Sequence, residues 1–210
     1  DQVIVFGNSS LNTMYDQVAR GMLTGYCGET PWCKLPEVKW ICPVPGYDRH
    51  FAVTEHFGIR MINVPMSEDG PDMDMVEELV KDPAVKGMWN VPKYSNPQGY
   101  VYSEEVTRRI ANLKPAAKDF RVFWDNAYCV HHLYAEDEKR GHLLNILDLC
   151  EKAGNPDLVF EFVSTSKVSY AGGGIAGIVT SENNKKDILA SMTVQTIGYD
   201  KVNQLRHARF

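Results

Sequence analysis

Features that mark several large protein classes are missing from this sequence of 210 residues. No apolar run approaches the length of about 18 residues that a transmembrane helix needs, so we expect no membrane partner. The net charge is −5, whereas nucleic-acid-binding surfaces usually carry a basic excess, so we expect no nucleic-acid partner. The chain opens on Asp1 without a methionine or a signal peptide, which suggests an excerpt of a longer polypeptide.

The cysteines and histidines lack the spacing of metal sites. The five cysteines are odd in number and irregularly spaced, and Cys27 and Cys33 do not form a C-x-x-C pair. His131 and His132 are adjacent, so on a regular element they point apart. We therefore expect no metal, and reduced, partly buried thiols in a cytoplasmic protein.

What the sequence does contain is a regular alternation of strand and helix patterns. Apolar runs predict seven strands: Gln2–Phe6, Lys39–Val44, Ile59–Val64, Val85–Val91, Phe120–Trp124, Leu158–Val163 and Ile175–Thr180. Helical periodicity after Ser10 predicts a first helix, and further helices are predicted at Asp48–Phe57, Pro71–Lys81, Ser103–Leu113, Gly141–Ala153 and from Glu182 to about Thr193. This alternation predicts one α/β domain over residues 1–210, with a doubly wound, mostly parallel sheet in three layers.

The stretch from Leu158 to Gly177 is the centre of the functional hypothesis. It combines a buried strand, a Ser/Thr-rich turn and a glycine loop. Lys167 follows the end of the strand, where open α/β sheets place their ligands. Its amine suits a phosphate clamp, a catalytic nucleophile or an ordinary surface lysine.

A second feature of this kind follows the first strand. Gly7, Asn8, Ser9 and Ser10 lead directly into a helix. Free backbone N–H groups and the positive end of the helix dipole make such a helix start an anion site. A plain capped helix is the alternative interpretation.

Further polar and aromatic residues follow other strands and are expected at the same rim of the sheet. They are Tyr47, Asn96, Asp125 and Tyr128. Each has a simpler interpretation, since Asp125 suits a helix cap, Asn96-Pro97 a turn, and the tyrosines the edge of the core. Together they suit pyridoxal phosphate, which needs a lysine amine for its Schiff base, a carboxylate for its pyridine nitrogen and a cradle for its phosphate.

Four motifs resemble those of the class I, fold-type I aminotransferases. Ser164-Thr165-Ser166-Lys167 resembles their Ser-x-Ser-Lys, and Asn96-Pro97-Gln98-Gly99 their Asn-Pro-Thr-Gly. Asp125-Asn126-Ala127-Tyr128 resembles Asp-x-Ala-Tyr, and Pro45-Gly46-Tyr47 the motif whose aromatic side chain stacks on the cofactor. Order and spacing agree over almost the whole chain, and the details resemble the divergent aspartate aminotransferase, or MocR-like, branch.

The resemblance implies a role for each matching residue. Lys167 would form the Schiff base and then shuttle the proton, and Asp125 would pair with the pyridinium nitrogen. Asn96 and Tyr128 would bond the phenolic oxygen, and Tyr47 would stack on the ring. The phosphate would be held by Ser9, Ser10 and Asn8, with Ser164 and Ser166 nearby.

One position departs from the family pattern. The family usually has a phosphate-binding arginine eight residues after the lysine, and here that residue is Ile175. The loop Gly172-Gly173-Gly174 offers backbone N–H groups instead, and Lys201 or Arg206 offers a substitute cation. The arginine that binds the substrate α-carboxylate belongs to a C-terminal small domain that we expect outside this chain.

The resemblance also implies an activity and an assembly. It implies transamination between aspartate and 2-oxoglutarate in a homodimer, with 2-aminoadipate or aromatic amino acids as competing substrates. A different class is a cofactor-binding effector domain of a transcription regulator, without turnover. A nicotinamide dehydrogenase is disfavoured because Gly172–Gly177, although it matches G-x-G-x-x-G, follows its strand too late and precedes a strand.

Overall fold

A computed structural model describes residues 2–210 as a mixed, mostly parallel sheet of eight strands covered by seven helices. The strands are β1 (Val3–Val5), β2 (Lys39–Val44), β3 (Arg60–Ser67), β4 (Gly70–Pro71), β5 (Val85–Asn90), β6 (Arg121–Asp125), β7 (Val159–Ser164) and β8 (Ala176–Val179). The helices are α1 (Ser10–Leu23), α2 (Asp48–His56), α3 (Met73–Leu79), α4 (Glu104–Ala111), α5 (Ile146–Lys152), α6 (Glu182–Gln195) and α7 (Lys201–Arg209).

The strand order confirms the predicted fold class. The order across the sheet is β1-β8-β7-β6-β5-β2-β3-β4. The central strands β3, β2, β5, β6 and β7 run parallel, and β8 is antiparallel to both of its neighbours. Parallel neighbours connected through helices require crossovers that place helices on the sheet faces. The carboxyl ends of β2, β5, β6 and β7 therefore share one rim.

Two hydrophobic clusters, one on each face of the sheet, give the three layers. The first packs α3, α4 and α5 against side chains such as Val122 and Trp124, and the second packs α1, α2 and α6 against Phe123, Phe160 and Phe162. Successive residues of β6 thus alternate between the two clusters, as the pleat requires. Asp125 has the same parity as Phe123 and faces the second cluster.

Two predicted helix starts are wrong. The predicted helix at Pro71–Lys81 begins at Met73, because Gly70–Pro71 pairs with the end of β3 and the Asp72 carboxylate caps the helix by accepting from the N–H groups of Asp74 and Met75. Proline is tolerated in such an edge strand because no ladder donor is needed there. These contacts shorten α3 to Met73–Leu79.

The predicted helix at Gly141–Ala153 begins five residues late, at Ile146. The Asn145 side chain accepts from the N–H groups of Leu147 and Asp148, which is an N-cap geometry that excludes helix before it. Upstream, Gly141 donates its N–H to the Tyr94 hydroxyl at 3.0 Å. The loop is therefore held by tertiary contacts that local periodicity does not encode.

The cysteines are free thiols: Cys42 and Cys150 are buried, Cys129 is intermediate, and Cys27 and Cys33 are exposed. Within residues 2–210, no helix has both the length and the hydropathy needed to cross a membrane.

Candidate active site

One cavity of about 180 Å³ lies at the shared rim of the sheet, beside the start of α1. Seven of the ten residues predicted for the site line it, together with Leu11, Met14 and Ala127. The seven are Ser9, Ser10, Tyr47, Asp125, Ser164, Ser166 and Lys167. Residues that are up to 158 positions apart in the sequence therefore meet in one space.

The wall formed by α1 is a helix start. Ser9 is the N-cap, and its hydroxyl accepts from the N–H of Asn12 at 3.4 Å. The N–H groups of the first helical turn have no intrahelical acceptor, so those of Ser10 and Leu11 remain available to a ligand. The positive end of the helix dipole adds to their attraction for an anion.

The carboxylate of Asp125 is buried at the end of β6, with 5% of the residue exposed. Its Oδ2 accepts from Nε2 of His50 at 3.0 Å. Its Oδ1 is buried and has no hydrogen-bond partner within the described residues. A buried acceptor without a partner is costly, so this oxygen is set to accept from a donor that enters the cavity.

His50 is the residue that the sequence analysis missed. It lies in the first turn of α2, is 1% exposed, and stacks on Trp89 with ring centroids 4.6 Å apart. Tyr47, three residues earlier, packs edge-on against the His50 ring at 5.0 Å. The spacing of three residues at a helix start was the available signal, because it places both rings on the same side.

Lys167 lies in the turn that follows β7. Its Nζ is 4.1 Å from the centroid of the Tyr128 ring, which is the geometry of a cation–π contact. Its backbone carbonyl is hydrogen-bonded to Nε2 of His131 at 3.0 Å. The turn is thus fixed from the segment that follows β6, while the amine reaches the cavity.

The two serines before Lys167 are tied to the loop that precedes α1. The Oγ atoms of Ser164 and Ser166 lie 2.9 Å apart, and both donate toward the backbone carbonyl of Asn8, at 3.3 and 2.7 Å. Asn8 therefore contributes its main chain to this junction, and it does not line the cavity.

Two more predicted residues lie outside the cavity wall. Asn96 is exposed in the loop after β5. Tyr128 is partly buried and lies under Lys167. The structure thus brings the lysine, the carboxylate, the serines and Tyr47 together and leaves Asn8, Asn96 and Tyr128 around them.

Ile175 takes a backbone role at the position of the expected arginine. Its N–H donates to the Thr165 hydroxyl and its carbonyl accepts from the Thr165 N–H, both at 2.8 Å. Neither Lys201 nor Arg206 lines the cavity, where Asp125 and Lys167 are the charged residues. The anion-binding groups of the cavity are therefore hydroxyls, the helix start and the lysine.

The whole chain, residues 1–210, matches the family model described as "Aspartate amino-transferase". An aspartate aminotransferase of Corynebacterium glutamicum is 51% identical over 100% of this chain and 48% of its own length. The crystal structure of an aspartate transaminase from the same species superimposes with a TM-score of 0.95 over 99% of this chain and 49% of that one.

A more distant structure shares the fold. It is an alpha-aminoadipate aminotransferase from Thermus thermophilus, complexed with N-(5'-phosphopyridoxyl)-L-leucine. Its TM-score is 0.73 at 22% identity, over 97% of this chain and 47% of that one. The chain spans about half the length of the curated relatives it matches.

Proposed function

The chain belongs to the aspartate aminotransferase family, and from this membership and the cavity we propose that it is the large, cofactor-binding domain of a pyridoxal-phosphate-dependent transaminase. One observation carries the proposal. Asp125 is buried with one carboxylate oxygen held by His50 and the other without a partner, in the cavity that Lys167 also lines. This pairing of an amine with a free buried acceptor is what the cofactor requires.

The residues present fit the cofactor. The unpartnered Oδ1 of Asp125 suits a protonated pyridine nitrogen, and the start of α1 with Ser9 and Ser10 suits a phosphate. The amine of Lys167 suits an aldehyde, and the ring of Tyr47 suits a flat aromatic partner. When bound, pyridoxal phosphate supplies a ring that withdraws the electron pair left on the substrate α-carbon.

The chain's own residues then have separable tasks. Asp125 holds a proton on the ring nitrogen, and His50 keeps the carboxylate oriented by donating to Oδ2. Nζ of Lys167 would be the base in the cavity that takes the proton from the substrate α-carbon and delivers it to a different carbon, the former aldehyde carbon of the cofactor, as transamination requires. The start of α1, with Ser9 and Ser10, would hold the phosphate end and so fix where the reaction occurs, while Ser164 and Ser166 lie nearby and donate to the Asn8 carbonyl.

The substrate proposal is aspartate with 2-oxoglutarate. Its support is the activity named for the relative that is 51% identical over the whole of this chain. We also propose a homodimer, as in the family that the motifs resemble. The cytoplasm is the proposed compartment because free cysteines suit a reducing environment.

The test is a labelling and turnover experiment on the whole protein. Purified with pyridoxal phosphate, it should be yellow, be bleached by borohydride, and carry the reduced label on Lys167. It should also transaminate aspartate with 2-oxoglutarate. Lys167→Ala should abolish label and turnover, while Lys186→Ala, which removes an exposed lysine of α6, should leave both unchanged. A colourless protein or a label on another lysine overturns the site assignment, and binding without turnover favours the effector-domain alternative.

A further inference from the structure

The segment that carries Lys167 is an irregular loop between β7 and β8. It begins with a turn in which the N–H groups of Val168 and Ser169 both donate to the Thr165 carbonyl, at 2.9 and 2.8 Å. It ends with the glycine loop. Neither part belongs to a helix or a strand, so the position of the lysine depends on contacts made by the loop.

The end of the glycine loop packs directly on the residue before the lysine. A Cβ placed on Gly174 would lie 2.8 Å from the backbone nitrogen of Ser166 and 2.9 Å from its Oγ. Side chains do not tolerate contacts that short, so the two backbones meet closely only because residue 174 is glycine. A shift of Gly174 would therefore shift Ser166, which is adjacent to Lys167.

Helix α7 holds the glycine loop through one side-chain amide. Nδ2 of Asn203 donates to the carbonyls of Gly173 and Gly174, at 3.0 and 2.9 Å. A side-chain amide has two N–H groups, so both hydrogen bonds form at once. The backbone of Asn203 is fixed separately, because its N–H donates to the capping carboxylate of Asp200 at 2.9 Å.

One turn further along α7, on the same face of the helix, His207 contacts the first part of the loop. Nδ1 of His207 lies 2.9 Å from the Asn203 carbonyl, which only accepts, so Nδ1 carries the proton. In the neutral ring Nε2 is then an acceptor, and it lies 3.1 Å from the Ser169 hydroxyl. The Ser169 hydroxyl has one proton, so it donates either to Nε2 or to the Thr165 carbonyl, from which its Oγ also lies 3.1 Å. The N–H of Ser169 donates to the same carbonyl at 2.8 Å, so the contact with His207 reaches the turn that contains Lys167 in either case.

We propose that Asn203 and His207 are positioning residues for Lys167, holding its loop at two points so that Nζ stays over the cavity that Lys167 and Asp125 both line. Both contacts reach the loop after the lysine, one at Ser169 and one at Gly173–Gly174, and Gly174 in turn packs on Ser166, the residue before the lysine. The inference rests on the proposed function of Lys167. Preorganisation of this kind matters for a base because small misplacements of a reacting group lower the rate strongly.

The first test compares variants of two neighbouring residues on α7, in the whole protein loaded with pyridoxal phosphate. Asn203→Ala removes both donors, and Asn203→Asp keeps the shape but places an acceptor against two carbonyls. Gln204→Ala is the matched control, since the one side-chain hydrogen bond of Gln204 within residues 2–210 is accepted from Nζ of Lys201, at 3.5 Å. Alanine favours helix more than asparagine does, so Asn203→Ala does not weaken α7 by propensity.

Two readouts and one rescue variant separate positioning from general stability. Both Asn203 variants should lower kcat by roughly tenfold, the factor for losing two neutral hydrogen bonds. Both should move the pH midpoint of the visible absorbance of the bound cofactor by about half a unit, because that midpoint depends on the surroundings of the lysine. Asn203→Gln, which restores the donors, should recover part of both effects. Gln204→Ala should behave as the unchanged protein.

A second measurement needs no cofactor. In the unloaded protein, hydrogen exchange at the amides of residues 166–174 should be roughly tenfold faster in Asn203→Ala, while exchange within α7 stays the same. If the unchanged protein does not bind pyridoxal phosphate, the proposed function fails while this comparison still tests the contact. If it binds the cofactor and the Asn203 variants match it in kcat, midpoint and loop exchange, the positioning role is wrong.

Discussion

Nε2 of His50 lies 3.0 Å from Oδ2 of Asp125, and both side chains are buried. The contact joins the first turn of α2 to the end of β6, across 75 positions of sequence. It leaves Oδ1 of Asp125 as the oxygen with no partner within the described residues. Because His50 is hydrogen-bonded to Oδ2, a ligand in the cavity can hydrogen-bond to the carboxylate through Oδ1.

Replacing His50 tests this relationship. His50→Phe keeps a ring that can stack on Trp89 but removes the donor to Asp125. We expect kcat/KM for transamination to fall about tenfold or more, since hydrogen bonds to charged groups contribute about 1.5–3 kcal/mol. His56→Phe is the matched control, because His56 is an exposed residue of the same helix whose side-chain hydrogen bond within the described residues is to the Tyr15 hydroxyl. Equal rates in the two variants would contradict the proposed contact.

Two side chains that line the cavity, Asp125 and Tyr47, should differ sharply in their contribution to kcat. Asp125→Ala removes the acceptor for the ring nitrogen, and we expect a loss of kcat of about a hundredfold or more, or about 2.7 kcal/mol. Tyr47→Phe keeps the packing surface against His50, and its loss should stay within about threefold. Steady-state kinetics of both variants with saturating cofactor give the comparison. Similar losses would count against these roles.

Glu161 should make stability depend on pH. Burial raises the pKa of this carboxyl above its ordinary value of 4.5, and the hydrogen bond from Nδ2 of Asn126 offsets part of that rise. A raised pKa means that the folded protein binds the proton more tightly than the unfolded chain. The stabilisation is present below 4.5 and is lost as the pH rises through the folded pKa.

Glu161→Gln removes the loss of stability at higher pH, because glutamine stays neutral and can still accept a hydrogen bond from Asn126. Urea unfolding at about pH 4 and about pH 7 should show the variant gaining stability relative to the unchanged protein as the pH rises. Glu151→Gln, at an exposed position of α5, should show no such trend. An identical difference at both pH values would refute the prediction.

The buried ion pair between Asp119 and Lys86 lies outside the cavity and should affect the free energy of unfolding and not catalysis. Oδ1 of Asp119 lies 2.7 Å from Nζ of Lys86, and Oδ2 lies 2.7 Å from Nε1 of Trp32. Asp119→Ala leaves two buried donors without an acceptor, so we expect the free energy of unfolding to fall by about 3–5 kcal/mol. Arg108→Ala breaks an exposed pair with Glu104 and should cost less than about 1 kcal/mol. Denaturant unfolding measures both, and similar costs would contradict the argument.

Local sequence signals were sufficient for much of the fold. The strand at Lys39–Val44 has the predicted bounds, and a serine before the first helix, Ser9, caps α1. Periodicity and capping act over one or two turns of chain, so they can be predicted without knowledge of the fold. The start of α5 has such a local signal in its N-cap Asn145, whereas the hydrogen bond that holds Gly141 to Tyr94, 47 residues away, has none.

The candidate site shows the same division. The family motifs identified Lys167 and Asp125, which line one cavity. The contact of His50 with Asp125, the backbone role of Asn8 and the pairing of Ile175 with Thr165 are all tertiary. The contacts of Asn8 and Ile175 use a backbone carbonyl or N–H, which is the same for every amino acid except proline and so has no residue-type signature. The contact of His50 had only the signal of its spacing from Tyr47.

The bond between Ser166 and the Asn8 carbonyl closes a loop of 158 residues. Contacts of such long sequence separation form slowly, because the chain must lose much entropy before they are made. In the folded sheet the strand before the anion-binding wall, β1, and the strand before the lysine turn, β7, both pair with β8. Cofactor capture should therefore be among the last events of folding, and the colour of the bound cofactor would report how much of the newly made chain has reached its native topology.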